Sequence, residues 1–141
     1  MIALSSKTAV VTGAGQGVGL GIATAMAKKG AKVAMLGRTF SKVKNESSKL
    51  NEAGFVTLPL ECDVKDPNSI SHAQVEIKNK FGSINVLINN AQEVPLGSIL
   101  DVTDEAINAG WESGPLATFR LMKLFYEDLK GDGAVINLAS S

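Results

Sequence analysis

The residues best placed to do chemistry are Thr12-Gly13-Ala14-Gly15-Gln16-Gly17-Val18-Gly19, directly behind the apolar run Thr8–Val11 and leading into helical spacing at Val18, Ile22 and Met26. Glycines let a backbone turn tightly and approach a ligand closely. The free N–H groups and positive end of the following helix then favour a pyrophosphate. The strand before and the helix after give the string its weight, since alone it would be only a flexible turn. The lysine of a P-loop is missing, which argues against an unrelated phosphate-binding module of that kind. His72 stands by itself in an expected surface helix, with no cluster of His, Cys or carboxylate residues at metal-ligand spacing.

A phosphate loop of this kind needs a sheet to position it. Apolar, β-rich runs recur at Thr8–Val11, Lys32–Leu36, Val56–Leu60, Asn85–Ile88 and Ala134–Leu138, each bounded by glycine or a polar turn. Between them lie segments with helical spacing, marked by Val18, Ile22 and Met26, by Val43 and Leu50, by Ile70, Ala73 and Ile77, and by Ile107 through Leu129. Asp66-Pro67 reads as the start of the third helix, with Asp as the cap and proline in the first turn. Strands and helices that alternate in this way, with near-continuous apolar strands, specify an α/β fold. Its parallel sheet is doubly wound, with helices on both faces.

The chain has 141 residues, within the range of one domain, and no repeat, linker or low-complexity stretch divides it. Fourteen basic and fourteen acidic residues cancel, so no overall positive field draws nucleic acid or an anionic membrane. No apolar run approaches the ~18 residues of a membrane span, and Met1–Lys7 is too short an apolar run for a signal peptide. The single cysteine, Cys62, cannot form an internal disulfide and fits a reducing compartment. The expected location is the cytoplasm.

The loop spacing, Thr-Gly-x-x-x-Gly-x-Gly through Gly13, Gly17 and Gly19, resembles that of the short-chain dehydrogenase/reductase family. Further matches follow in the family's order: Cys62-Asp63-Val64 after the third strand, Asn89-Asn90-Ala91 after the fourth, and Gly133-Ala-Val-Ile-Asn-Leu-Ala-Ser140 at the fifth. The resemblance covers the whole chain. It implies a Rossmann sheet of order 3-2-1-4-5, with residues 1–141 forming an NAD(P)-binding domain that stops after the fifth strand. It also implies cofactor contacts from Gly13, Gly15, Gln16, Gly17, Val18 and Gly19, from Arg38 and Thr39, from Asp63 and Val64 at the adenine, and from Asn90, Ala91 and Gln92. Two positions in the matched motifs have simpler readings, since Asp63 could cap a turn and Asn89 could satisfy loop backbone groups.

An acid at the end of the second strand would bind the ribose hydroxyls of NAD and repel the extra phosphate of NADP. Here the sequence reads Leu36-Gly37-Arg38-Thr39, with a guanidinium able to grip a 2′-phosphate. NADP(H) is therefore the expected cofactor and NAD(H) the second choice, although Gln16 stands where many NADP-using relatives carry a base.

In the family, a tyrosine activated by a lysine four residues later exchanges the proton while hydride passes to or from the nicotinamide. A serine about thirteen residues earlier binds the substrate oxygen. The match places that serine at Ser140, with Ser141 as the second choice, and the tyrosine and lysine beyond residue 141. Tyr126 and Lys130 have the right spacing but precede the serine strand, at the end of the sheet where ligands do not bind. Two departures stand out. Trp111 falls where the family's relay asparagine is expected, and Gln92 replaces the glycine that follows Asn-Asn-Ala, which makes the nicotinamide end narrower or more polar. The implied function is an oxidoreductase acting on a small carbonyl or alcohol, homo-oligomeric when complete, with these 141 residues alone inactive. The alternative is a non-catalytic NADP-binding or regulatory protein.

Overall fold

A strand reading Thr-Ala-Val-Val-Thr can be buried along its whole length only if it has neighbours on both edges and helices on both faces. The computed structural model, which describes residues 3–139, gives it that setting. Strands β1 (Thr8–Thr12), β2 (Lys32–Gly37), β3 (Thr57–Glu61), β4 (Val86–Asn89) and β5 (Ala134–Asn137) form one sheet of order β3-β2-β1-β4-β5. All pairings are parallel, with Ala9 opposite both Val33 and Val86. Successive side chains on a strand point to opposite faces, so Val10 joins a core layer with Leu36, Ile77, Leu87 and Phe125. Val11 joins the opposite layer with Ala23, Val33, Met35 and Ile88.

Helices α1 (Gly17–Lys28), α2 (Phe40–Glu52) and α3 (Pro67–Phe81) connect the first four strands. Asp66 caps α3 by accepting a hydrogen bond from the Asn68 N–H at 2.9 Å, and Gly82, at φ 78°, ends it. The boundaries of β3 and β4 lie one residue later than the apolar runs predict. At β3 the reason is Thr57, which is buried and bonded to Ser47 and Asn51 of α2, while Val56 is half exposed.

Two helical segments pack differently from what their apolar spacing alone conveys. In α1 the face against the sheet is Gly19, Ala23 and Ala27, whereas Val18 is 63% exposed and Ile22 and Met26 are only partly buried. At Gly19 an added Cβ would collide with the Gly13 carbonyl oxygen, so no side chain fits there, while Leu20, Ile22 and Met26 pack against the core from partly buried positions. The segment from Ile107 to Leu129 is not one helix but α4 (Asp104–Trp111), a π-turn at Glu112–Leu116, α5 (Ala117–Leu124) and the short α6 (Tyr126–Leu129). Pro115 lies within the π-turn, where it lacks an N–H for the helical ladder and its ring crowds the preceding turn, which accounts for the widening. Among the described residues, no helix is long and apolar enough to cross a membrane.

Candidate nucleotide site at the carboxyl ends of the strands

The loops that leave β1 and β4 are held together by one buried hydroxyl. Thr12 Oγ1 accepts from the backbone N–H groups of Asn90 at 3.0 Å and Ala91 at 2.9 Å. The Asn90 amide returns the contact, donating to the carbonyls of Thr12 at 3.0 Å and Gly13 at 3.3 Å. Beneath them, a Cβ added to Gly19 would collide with the Gly13 carbonyl oxygen and Asn90 Nδ2, so this glycine lets α1 reach the loop. Gly13 (φ 62°) and Gly17 (φ 57°) make the turns that side chains disfavour. Replacing Thr12 with valine keeps the volume but leaves two inward N–H groups without an acceptor. We expect it to destabilise the fold by about 1–3 kcal/mol, measured by urea denaturation; an unchanged midpoint would remove the staple from the account.

The result is an α1 N-terminus open to an anion. Its N-cap, Gln16, makes no capping bond with its side chain, and its first turn holds no acid. The N–H groups of that turn have no partner within the helix and carry its positive dipole end. Gln16 Oε1 instead accepts from Lys42 Nζ at 3.0 Å, drawing a cation from α2 to the cleft.

The cleft has a volume of about 330 Å³, within the range of ligand pockets. It gathers Gly13, Gly15, Gln16 and Gly17, then Arg38 and Thr39, then Asp63 and Val64, and finally Asn90, Ala91 and Gln92. Val18 and Gly19 are not in its wall: Val18 faces outward and Gly19 packs underneath. Asp63 also plays the turn role open to it, since its Oδ1 accepts from the Lys65 N–H at 3.0 Å. Cys62 lines the wall, but burial pushes its thiol up to about 11, so it is not a thiolate nucleophile at neutral pH.

Tyr126, Lys130 and His72, none of them assigned to the site from the sequence, do not line the cleft. Tyr126 is 60% exposed on α6, and Lys130 pairs with Glu127 at 2.5 Å. The α6 residue Asp128 accepts from the Ile84 N–H, just ahead of β4, which fixes this helix at the amino ends of the strands. His72 is exposed, and no metal-binding group occurs among the described residues. Ser140 and Ser141 lie outside the described residues.

The sequence matches the model of the short chain dehydrogenase family over residues 7–141. The chain belongs to the short-chain dehydrogenase/reductase family. It is 38% identical over 143 residues to a 12alpha-hydroxysteroid dehydrogenase of a Clostridium species, covering 95% of this chain and 55% of that protein. It is also 38% identical over 102 residues to the oxidoreductase UcpA of Escherichia coli, covering 72% of this chain and 38% of that protein. Among solved structures, L-sorbose reductase from Gluconobacter frateurii, complexed with NADPH and L-sorbose, superposes with a TM-score of 0.91 at 30% identity, covering 99% of this chain and 54% of the other. The chain spans about half the length of the curated relatives it matches.

Short-chain dehydrogenase/reductases bind nicotinamide cofactors, and the cradle here suits one: a glycine turn, an uncapped helix end and cations beside β2. Sequence reasoning missed three residues of this cleft. Lys42 stands in the first turn of α2, just after Arg38 and Thr39, a nearness in sequence that could have been noticed. Glu93 immediately follows Gln92, and its Oε1 takes both Arg38 Nη1 at 2.5 Å and Lys65 Nζ at 2.7 Å. The Lys65 ammonium, with help from Arg38, holds its carboxyl below the usual carboxylate range. The third is Ser113 in the π-turn, buried, whose Oγ accepts from the Glu93 N–H at 2.7 Å. Trp111, expected at the relay position, is 60% exposed, so Ser113 is the polar side chain that this helix sends into the cleft.

Proposed function

We propose that this chain carries the cofactor-binding half of an NADP(H)-dependent oxidoreductase that interconverts a carbonyl and an alcohol, with residues 1–141 as one NAD(P)-binding domain. The observation that carries the reading is the end of β2, where Gly37 replaces the expected acid and two cations, Arg38 and Lys42, line the cleft. In this reading the α1 N-terminus holds the pyrophosphate, Arg38 and Lys42 hold the 2′-phosphate, and Asp63 and Val64 flank the adenine. When bound, the nicotinamide supplies or accepts the hydride. Ser140 is the proposed hydrogen-bond donor to the substrate oxygen, lowering the cost of charge that develops there. The NADPH bound to the sorbose reductase supports the cofactor choice by analogy of fold.

The side chains exposed on α4 and α5, among them Trp111, Phe119 and Met122, together with the outer edge of β5, support association with further polypeptide. The direct test is calorimetric titration of the 141-residue chain with NADPH and NADH. We expect NADPH to bind at least about tenfold tighter, the effect of one charge-assisted contact. Equal affinities would defeat the NADP(H) assignment, and no binding of either would defeat the nucleotide site.

A further inference from the structure

Glu93 has no part in the cofactor contacts described above, yet it lines the same cleft. Its backbone is fixed: Ser113 Oγ accepts its N–H, and Ser113 is itself buried and 3.4 Å from the Gly110 carbonyl. From that fixed point the carboxylate reaches into the cleft, where one oxygen takes cations from the loops after β2 and β3. The β3 loop is held in turn, because Arg120 of α5 donates to the Lys65 carbonyl at 3.2 Å. Three strand ends are thus tied by a single carboxylate, with Arg38 and Glu93 both in the wall of the proposed cofactor site.

We propose that Glu93 is a specificity-determining residue that competes with the cofactor's 2′-phosphate for Arg38 and so restrains the preference for NADP(H) over NAD(H). The proposal rests on Arg38 as the 2′-phosphate contact. The contact holds Glu93 to Nη1 of the guanidinium alone, so a phosphate can reach the remaining N–H donors only with the carboxylate alongside. A phosphate arriving at Arg38 meets a carboxylate already seated there, and the two anions lie well within a screening length of each other. A cofactor with a plain 2′-hydroxyl brings no such conflict. Glu93 therefore opposes NADP(H) selectively, and its neutral isostere releases Arg38 without emptying the space.

The experiment uses adenosine 2′,5′-bisphosphate and AMP, two probes that differ only in the 2′-phosphate, titrated calorimetrically into the wild-type chain, Glu93→Gln, Arg38→Gln and the double variant. Glu93→Gln should bind the bisphosphate about fivefold tighter at low salt, the upper end for an exposed ion pair, with AMP unchanged. The gain should shrink at about 0.5 M salt, where exposed charges are screened, and vanish in the Arg38→Gln background. If Arg38→Gln loses bisphosphate affinity but Glu93→Gln leaves it unchanged or weakens it, Glu93 positions Arg38 rather than competing for it; the inference is then overturned and the cofactor reading stands. If Arg38→Gln binds the bisphosphate as well as wild type does, the cofactor reading fails and takes the inference with it.

Discussion

Replacing Arg38 with glutamate is expected to weaken NADPH binding by about 10- to 150-fold, the equivalent of roughly 1.5–3 kcal/mol, while NADH binding changes only a few-fold. The substitution removes the guanidinium and places a carboxylate beside the expected phosphate, so attraction becomes repulsion. Arg38 is exposed, with its side chain 60% accessible, which favours the lower half of that range and makes the effect salt-dependent. A more obvious variant, Gly37→Asp, would be a poor test. A Cβ at Gly37 would lie 2.7 Å from Val43 Cγ1, so packing damage would be mixed with any change in cofactor choice. Calorimetry on Arg38→Glu with both nucleotides checks the point, and an equal loss for both would show that Arg38 does not read the 2′-phosphate.

These 141 residues are expected to bind nucleotide without turning over a carbonyl substrate. Tyr126 is the only tyrosine in the sequence, and it lies on α6 at the amino ends of the strands, away from the cleft. A serine can stabilise a developing oxyanion, but without a placed acid the proton transfer is lost, a factor of about 10²–10⁴ in rate. Oxidation of NADPH in the presence of reactive aldehydes and ketones is the assay. Turnover by the isolated chain that disappears in Tyr126→Phe would mean that the Tyr126–Lys130 pair reaches the substrate after all. Turnover that survives Tyr126→Phe would mean that some other side chain transfers the proton.

Much of this architecture is legible in one dimension because its signals are short-range. A strand buried on both faces must read as an apolar run, and a tight turn must use glycine, so β1, the loop from Gly13 to Gly19 and the start of α1 can be found without a partner in view. The Asp66-Pro67 start of α3 belongs to the same class, because a cap is made within a few residues. The inner face of α1 was not legible for the opposite reason: Val18, Ile22 and Met26 mark the helix by their spacing, but its fully buried positions are Gly19, Ala23 and Ala27, which only the packed structure reveals. The break in the last long helix was signalled by Pro115, although that signal does not by itself announce a π-turn or point Ser113 inward.

What the sequence determined by itself is the order of elements, the parallel sheet and the glycine-rich turn between β1 and α1, all of which depend on patterns of nearby residues. What only the tertiary structure decided is which distant side chains meet at the strand ends. Thr12 joins Asn90 from 78 positions away, and Arg38 joins Glu93 from 55, because each parallel crossover returns the chain to the amino end of the sheet and so brings every strand's following loop out at the same carboxyl end. The pairing of Lys42 with Gln16, and of Glu93 with two cations at once, follows from that convergence rather than from any local motif.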